Sequence, residues 1–156
     1  MIIIRNFIAT DTESVQLIYT ACTRELREVY APKPNPKDQL LNGIGTNLRI
    51  VALDDSGNVI GVTEYIPQSL FLYVQGIAVA QTHRRRRVAS ALIEYTAKLA
   101  VELGLPALSL TTIKETGNVE VFKKLGFIEI EERISDRFVG IDGKSITEVN
   151  FWRNVP

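Results

Sequence analysis

The sequence is short of the residues on which several kinds of chemistry depend. Its 156 residues include one cysteine, Cys22, so no disulfide can close within the chain. That fits a reducing compartment. There is one histidine, His83, so a histidine-rich metal site is excluded and no metal is expected. A cysteine–histidine pair would need Cys22 as nucleophile, but Cys22 falls in an apolar helical stripe where packing explains it. No apolar run approaches the roughly 18–20 residues that cross a membrane. The opening MIIIRNF has no long apolar stretch behind a basic start and does not read as a secretory signal. A cytoplasmic protein without a membrane partner is expected. Charge of one sign is also missing: Lys plus Arg and Asp plus Glu balance at 18 each. Gripping a phosphate backbone needs a positive excess, so no nucleic-acid partner is expected for the protein as a whole. Repeats and low-complexity tracts are absent.

What is present is an ordinary globular mixture, 46% hydrophobic and 23% charged. Its length suits a single domain over residues 1–156 with a core of its own. Ile2–Phe7 is β-rich and reads as a first strand. Thr10 with Glu13 has the form of a capping box. Val15, Ile18, Cys22, Leu26 and Val29 then recur at helical spacing. The prolines between Ala31 and Pro36 cannot continue a helix, so a loop follows, then a short helix over Lys37–Leu41. Strands are expected over Leu48–Leu53 and Val59–Ile66, joined by the turn Asp54–Asn58. Leu70–Val79 reads as a long apolar strand whose Gly76 marks a bulge. A second amphipathic helix runs from Val88 to Leu103 on the stripe Val88, Ala91, Leu92, Tyr95, Leu99 and Leu103, and stops at Gly104. Ala107–Thr112 is a strand, Asn118–Leu125 a short helix, and Phe127–Ile134 and Ser145–Trp152 the last strands. Hairpins at the front imply antiparallel pairing. The strand–helix–strand unit from Leu70 to Thr112 implies one parallel, right-handed crossover. The result is a mixed sheet with helices packed on it.

The chemistry gathers where that crossover turns. A strand feeding a short loop into a helix start aims unpaired backbone N–H groups, at the positive end of the helix dipole, at whatever lies above. Arg84, Arg85, Arg86 and Arg87 add charge at that place, and guanidinium forks match phosphate oxygens. The run reads either as a phosphate or pyrophosphate site, or as a solvated basic turn used for localisation or nucleic acid. Its place between an apolar strand and an amphipathic helix favours the ligand site.

The stretch Ile77-Ala78-Val79-Ala80-Gln81-Thr82-His83-Arg84-Arg85-Arg86-Arg87-Val88-Ala89-Ser90-Ala91-Leu92 resembles the acetyl-coenzyme A motif of the GNAT superfamily of N-acetyltransferases. That motif reads Q/R-x-x-G-x-G/A after a strand, with Arg84 here at its first position and Ala89 at its last. Gly117-Asn118-Val119-Glu120-Val121-Phe122-Lys123-Lys124-Leu125-Gly126-Phe127 is similar to the family's short helix ending in Leu-Gly-Phe. The resemblance implies an α/β fold with a central mixed, mostly antiparallel seven-stranded sheet flanked by helices. It implies that amides from Arg84 to Ala89, with Val88 inside that span and Ser90 nearby, hold the pyrophosphate of acetyl-coenzyme A, the cosubstrate. Main-chain groups near Ile77, Ala78 and Val79 would hold the pantetheine arm and the acetyl carbonyl in a gap where the sheet splays. Asn118 matches a residue that contacts the arm.

Two positions depart from the pattern. Arg87 stands where the motif has its central glycine, which allows close backbone approach. Binding is retained if the arginine side chain turns away; otherwise the protein no longer holds the coenzyme. Phe122 stands where many members carry the tyrosine that protonates the leaving thiolate, so water or the ammonium-like intermediate takes that role.

The expected activity is acetyl transfer to a primary amine of a small molecule or peptide, by direct attack in a ternary complex. A lysine-like amine, with a pKa of about 10.4, is mostly protonated at neutral pH, so a base or water chain helps. Glu64 and Tyr73 are the catalytic candidates, Gln75 could order a water, and Glu115 is a further possibility. Backbone donors near Ile77 and Val79 would polarise the thioester carbonyl. The segments Pro32–Pro36 and Gly43–Thr46 are expected to edge the acceptor pocket, as in the family. Rival readings are a coenzyme-binding protein without transferase activity and a nucleic-acid module built on His83–Arg87. An exposed edge strand at the C-terminus could pair across a homodimer.

Overall fold

The computed structural model describes residues 1–34 and 48–156; the expected helix Lys37–Leu41 and the segment Gly43–Thr46 lie outside them. Nine strands and three α-helices are described: β1 (Ile3–Asn6), α1 (Thr12–Leu26), β2 (Tyr30–Pro32), β3 (Leu48–Leu53), β4 (Val59–Pro67), β5 (Leu72–Val79), α2 (Val88–Glu102), β6 (Ala107–Ile113), α3 (Val119–Lys124), β7 (Ile128–Ile134), β8 (Phe138–Gly140) and β9 (Thr147–Asn154). Among the described residues the other expected elements are present, with ends moved by a few residues. Two short strands were not expected. Tyr30–Pro32 spans the expected helix end and the start of the loop, but it pairs antiparallel with Phe138–Gly140 in a separate two-stranded sheet. Pro32 is tolerated because such a ribbon leaves one side of each strand unpaired.

Seven strands form the main sheet in the order β1-β3-β4-β5-β6-β9-β7, and only β5 and β6 run parallel. Because β9 inserts between β6 and β7, the free edge at that end is β7, whose residues are all exposed, and not the last strand of the chain. Alternating residues send the strands' side chains to two cores. Ile50, Ala52, Ile60, Leu72, Val74, Leu108 and Phe151 pack under α2 with Val88, Leu92 and Ile93. Val51, Leu53, Val62 and Ala78 pack under Val15 and Ile18 of α1. Each large apolar side chain buried this way contributes about 1.5–3 kcal/mol.

The buried face of α2 differs from the expected stripe. Val88 and Leu92 are buried as expected, but the rest of the face is Ile93, Thr96, Ala97 and Ala100, while Leu103 is 51% exposed. Small residues let the helix sit close to the sheet. Thr96 is tolerated because its hydroxyl donates to the Ile93 carbonyl at 2.7 Å. The capping box at Thr10 is not formed. A 3-10 turn over Ala9–Asp11 precedes α1, and the Asp11 carboxylate turns away to accept from Ile8 N–H and from both terminal nitrogens of Arg5. The Asp54–Asn58 turn is as expected: the Asp54 carboxylate accepts from the N–H groups of Ser56 and Asn58, each at 2.9 Å.

Candidate active site

The site is built where β5 leaves β6. The two strands pair at Leu72↔Leu108 and Tyr73↔Ser109 and no further, so β5 runs on to Val79 and β6 to Ile113 with a widening gap between them. The β5 bulge lies just beyond that last rung. Val62 is opposite Ala78 and Glu64 opposite Gln75, which leaves Gly76 and Ile77 facing Thr63 alone, and Gly76 has φ +63°. Glycine adopts that conformation without a steric penalty. Ile77 and Val79 pack towards the α2 core, and Ala78 towards α1.

Past Val79 the chain makes a 3-10 turn, Gln81–His83, and then the four arginines lead into α2. The first helical bond runs from Ala91 N–H to the Arg87 carbonyl at 3.0 Å. The N–H groups of Val88, Ala89 and Ser90 therefore have no backbone acceptor among the described residues. Arg85 and Arg87 have φ +62° and +63°, and no other non-glycine residue among those described is left-handed. The backbone thus keeps a glycine-like conformation at the motif's central position despite the arginine there. A left-handed L-residue costs roughly 1–2 kcal/mol. Such strain is retained when the surroundings over-determine it, often at ligand sites. All four arginine residues are exposed.

The arginines are not equivalent. Arg84 is committed to Glu25 of α1, with both terminal nitrogens 2.8 Å from the carboxylate oxygens, and its Nε lies 3.5 Å from the Val79 carbonyl. Arg86 lines a cleft of about 250 Å³ with Ile2, Asp54, Asp55, His83 and Val88. His83 shares its Nδ1 with the Thr82 hydroxyl at 2.9 Å, and its Nε2 is 4.0 Å from Asp54. Cys22 is half-buried rather than buried. Its Sγ lies 3.8 Å from the Val79 carbonyl and 3.7 Å from Arg84.

Glu64 reaches this region, and Tyr73 lies on β5 at its edge. The Glu64 side chain is 13% exposed, 3.6 Å from Arg49 and 3.5 Å from the Gln75 amide. Tyr73 occupies the last paired rung, between Ile66 and Ser109. Glu115 does not stand free: its carboxylate accepts the Thr147 N–H at 2.7 Å, at the start of β9. Asn118 precedes α3, and its side chain makes no hydrogen bond among the described residues. Phe122 packs edge-on to Phe127 and tilted against Phe151, so its ring is part of the α2-side core. Sequence reasoning missed Tyr19, whose hydroxyl donates to the Gly76 carbonyl at 2.8 Å. Its signal was its place four residues after Val15, on the apolar side of α1.

A splayed parallel pair, a strained loop and helix-start amides without backbone acceptors are thereby brought together, an arrangement whose donors suit an anion. The model of the acetyltransferase (GNAT) family matches residues 13–127, which include all these candidates. The chain belongs to this family. It is an N-acetyltransferase of the GNAT type, and the family uses acetyl-coenzyme A. Solved structures share its fold at low identity. A protein assigned as a phosphinothricin N-acetyltransferase is 20% identical, with a TM-score of 0.73 over 100% of this chain and 99% of that one. The ribosomal-protein-S18-alanine N-acetyltransferase from Escherichia coli is 17% identical, with a TM-score of 0.73 over 99% and 94%. A protein assigned as a streptothricin acetyltransferase from Bacillus anthracis, in complex with acetyl coenzyme A, is 13% identical, with a TM-score of 0.71 over 100% and 99%. No curated protein sequence matches the chain. Among the described residues, no helix is long and apolar enough to cross a membrane, and no group of His, Cys, Asp and Glu could hold a metal ion.

Proposed function

We propose that the protein moves the acetyl group of acetyl-coenzyme A to a primary amine by direct attack in a ternary complex. It acts as one cytoplasmic domain over residues 1–156, with no metal. The observation that carries this reading is the separation of β5 from β6 beside the open amides of Val88, Ala89 and Ser90. Those amides, with Arg85, Arg86 and Arg87, hold the pyrophosphate. The pantetheine arm lies in the gap along Ile77–Val79, within reach of Asn118. The left-handed conformation at Arg87 favours retained binding over a damaged motif.

The amine nitrogen attacks the thioester carbon, the C–S bond breaks, and coenzyme A leaves as the thiolate. Glu64 takes the amine proton directly or through a water ordered by Gln75, and Tyr73 orients the amine. The Ile77 N–H stabilises the charge that develops on the carbonyl oxygen. Phe122 has no proton to give, so the thiolate is protonated by water or by the departing ammonium proton. The acceptor is a primary amine of a small molecule or peptide; the named neighbours act on one or the other.

Calorimetry with acetyl-coenzyme A at near-physiological salt tests the donor site, with micromolar binding expected. Absence of binding would overturn the enzyme reading. With an accepted amine in hand, Glu64→Gln and Tyr73→Phe are each expected to lower turnover. If neither alters the rate or its pH profile, those two roles are wrong.

A further inference from the structure

Resting on that reading of the donor site, we infer that Tyr19 is a positioning residue that aims the carbonyl-polarising donor: its hydroxyl holds the Gly76 carbonyl and thereby orients the Ile77 N–H.

The peptide unit between Gly76 and Ile77 lacks the usual restraint of a sheet. The register jumps from Glu64↔Gln75 to Val62↔Ala78, so Gly76 and Ile77 share Thr63 opposite them in a bulge, outside the regular ladder. On the other side β6 has already separated, its last pair being Tyr73↔Ser109. A bulged peptide with no neighbouring strand on its other side is held less firmly than one inside a regular ladder. The hydrogen bond from Tyr19 Oη to the Gly76 oxygen, 2.8 Å long, removes that freedom. In a planar trans peptide the C=O and the following N–H point in opposite directions. With the Gly76 oxygen drawn towards α1, the Ile77 N–H points away from α1.

The surroundings suit a permanent donor and not a proton shuttle. Burial, and then the charge of Glu64, push the Tyr19 hydroxyl well above the usual tyrosine range. It stays protonated and donating at any physiological pH. The glycine itself is closely fitted to this arrangement. A Cβ at position 76 would sit 3.1 Å from Tyr19 Oη and 3.6 Å from Glu64 Oε1, on a backbone already at φ +63°.

The test is isotope-edited infrared spectroscopy of carbonyl-labelled acetyl-coenzyme A on the wild type and on Tyr19→Phe, with steady-state kinetics on both. In the wild type the thioester carbonyl stretch should move to lower frequency on binding. In Tyr19→Phe that shift should shrink or vanish, and kcat should fall on the order of tenfold while KM for acetyl-coenzyme A stays within about twofold. A wild-type stretch and kcat in Tyr19→Phe would overturn the inference. Should Tyr19→Phe fail to fold, the ¹⁵N–¹H resonance of Ile77 in the wild type decides. A large downfield shift of its proton on adding acetyl-coenzyme A supports the role, and an unmoved resonance overturns it. A wild type that binds no acetyl-coenzyme A overturns the donor-site reading itself, which separates the two failures.

Discussion

Arg84 and Glu25 meet end to end, with two nitrogen–oxygen distances of 2.8 Å joining the loop before α2 to α1. The first arginine of the motif is therefore tied to the protein, while Arg85, Arg86 and Arg87 make no ion pair among the described residues. The pair also draws α1 and the loop together over Cys22 and the Val79 carbonyl.

Arg84→Ala is expected to lower stability by no more than about 1 kcal/mol, since the pair is largely exposed. It should leave the affinity for acetyl-coenzyme A within about threefold. Arg86→Ala should weaken binding by about tenfold and flatten its dependence on salt. Calorimetry at two ionic strengths compares them. A larger loss from Arg84→Ala than from Arg86→Ala would contradict the division of roles.

Arg87→Gly should relieve a left-handed side chain. Allowing for the added freedom of the unfolded chain, the gain is about 0.5–1 kcal/mol, or roughly 1–4 °C in Tm. Coenzyme affinity should be kept to within the loss of one exposed charge. Arg87→Ala, which keeps the strain, should not raise Tm, and differential scanning calorimetry on both variants reads the difference.

Gly61→Ala should be costly although the change is one methyl. A Cβ there would lie 2.7 Å from Val88 Cγ1 and 3.3 Å from Leu92 Cδ1, at the contact between β4 and the first turn of α2. Overpacking of this kind costs about 1–3 kcal/mol. Because it displaces the helix start, acetyl-coenzyme A binding should weaken with it. Urea unfolding and calorimetry on one preparation check both effects.

Acid should destabilise the fold through Asp11 and Glu148. The hydrogen bonds from Arg5 hold the Asp11 carboxyl below the usual carboxylate range against its burial. Burial pushes Glu148 up, but the Ser135 hydroxyl at 2.6 Å with Arg137 and Arg133 brings it below its ordinary value. Both pKa values are lower folded than unfolded. Their stabilisation is therefore present above about pH 4 and is lost as pH falls through the folded values. Urea midpoints for the wild type should drop as pH falls from about 5 to about 2. Asp11→Asn and Glu148→Gln should each start lower and fall less.

The elements legible in the sequence were those with a local cause. The helical spacing of Val15, Ile18 and Cys22, the apolar run of β5 and the Asp54–Asn58 turn each carry their own signal. Gly76 was legible as a bulge because a glycine inside a strand has few other uses. The arginine run between strand and helix pointed to an anion site for the same local reason. Pairs distant in the chain were not legible. Nothing local couples Tyr30–Pro32 to Phe138–Gly140, Arg84 to Glu25 or Tyr19 to Gly76.

By itself the sequence determined the order of elements, the bulge and the place where a helix start would offer open amides, since periodicity, turn chemistry and glycine act over a few residues. Only the tertiary structure decided that β9 lies inside β7, that β5 and β6 separate after one short run, and which arginine is tied down. Those outcomes depend on how twisted strands close over two cores and on contacts between residues far apart in the chain, and no local spacing encodes either.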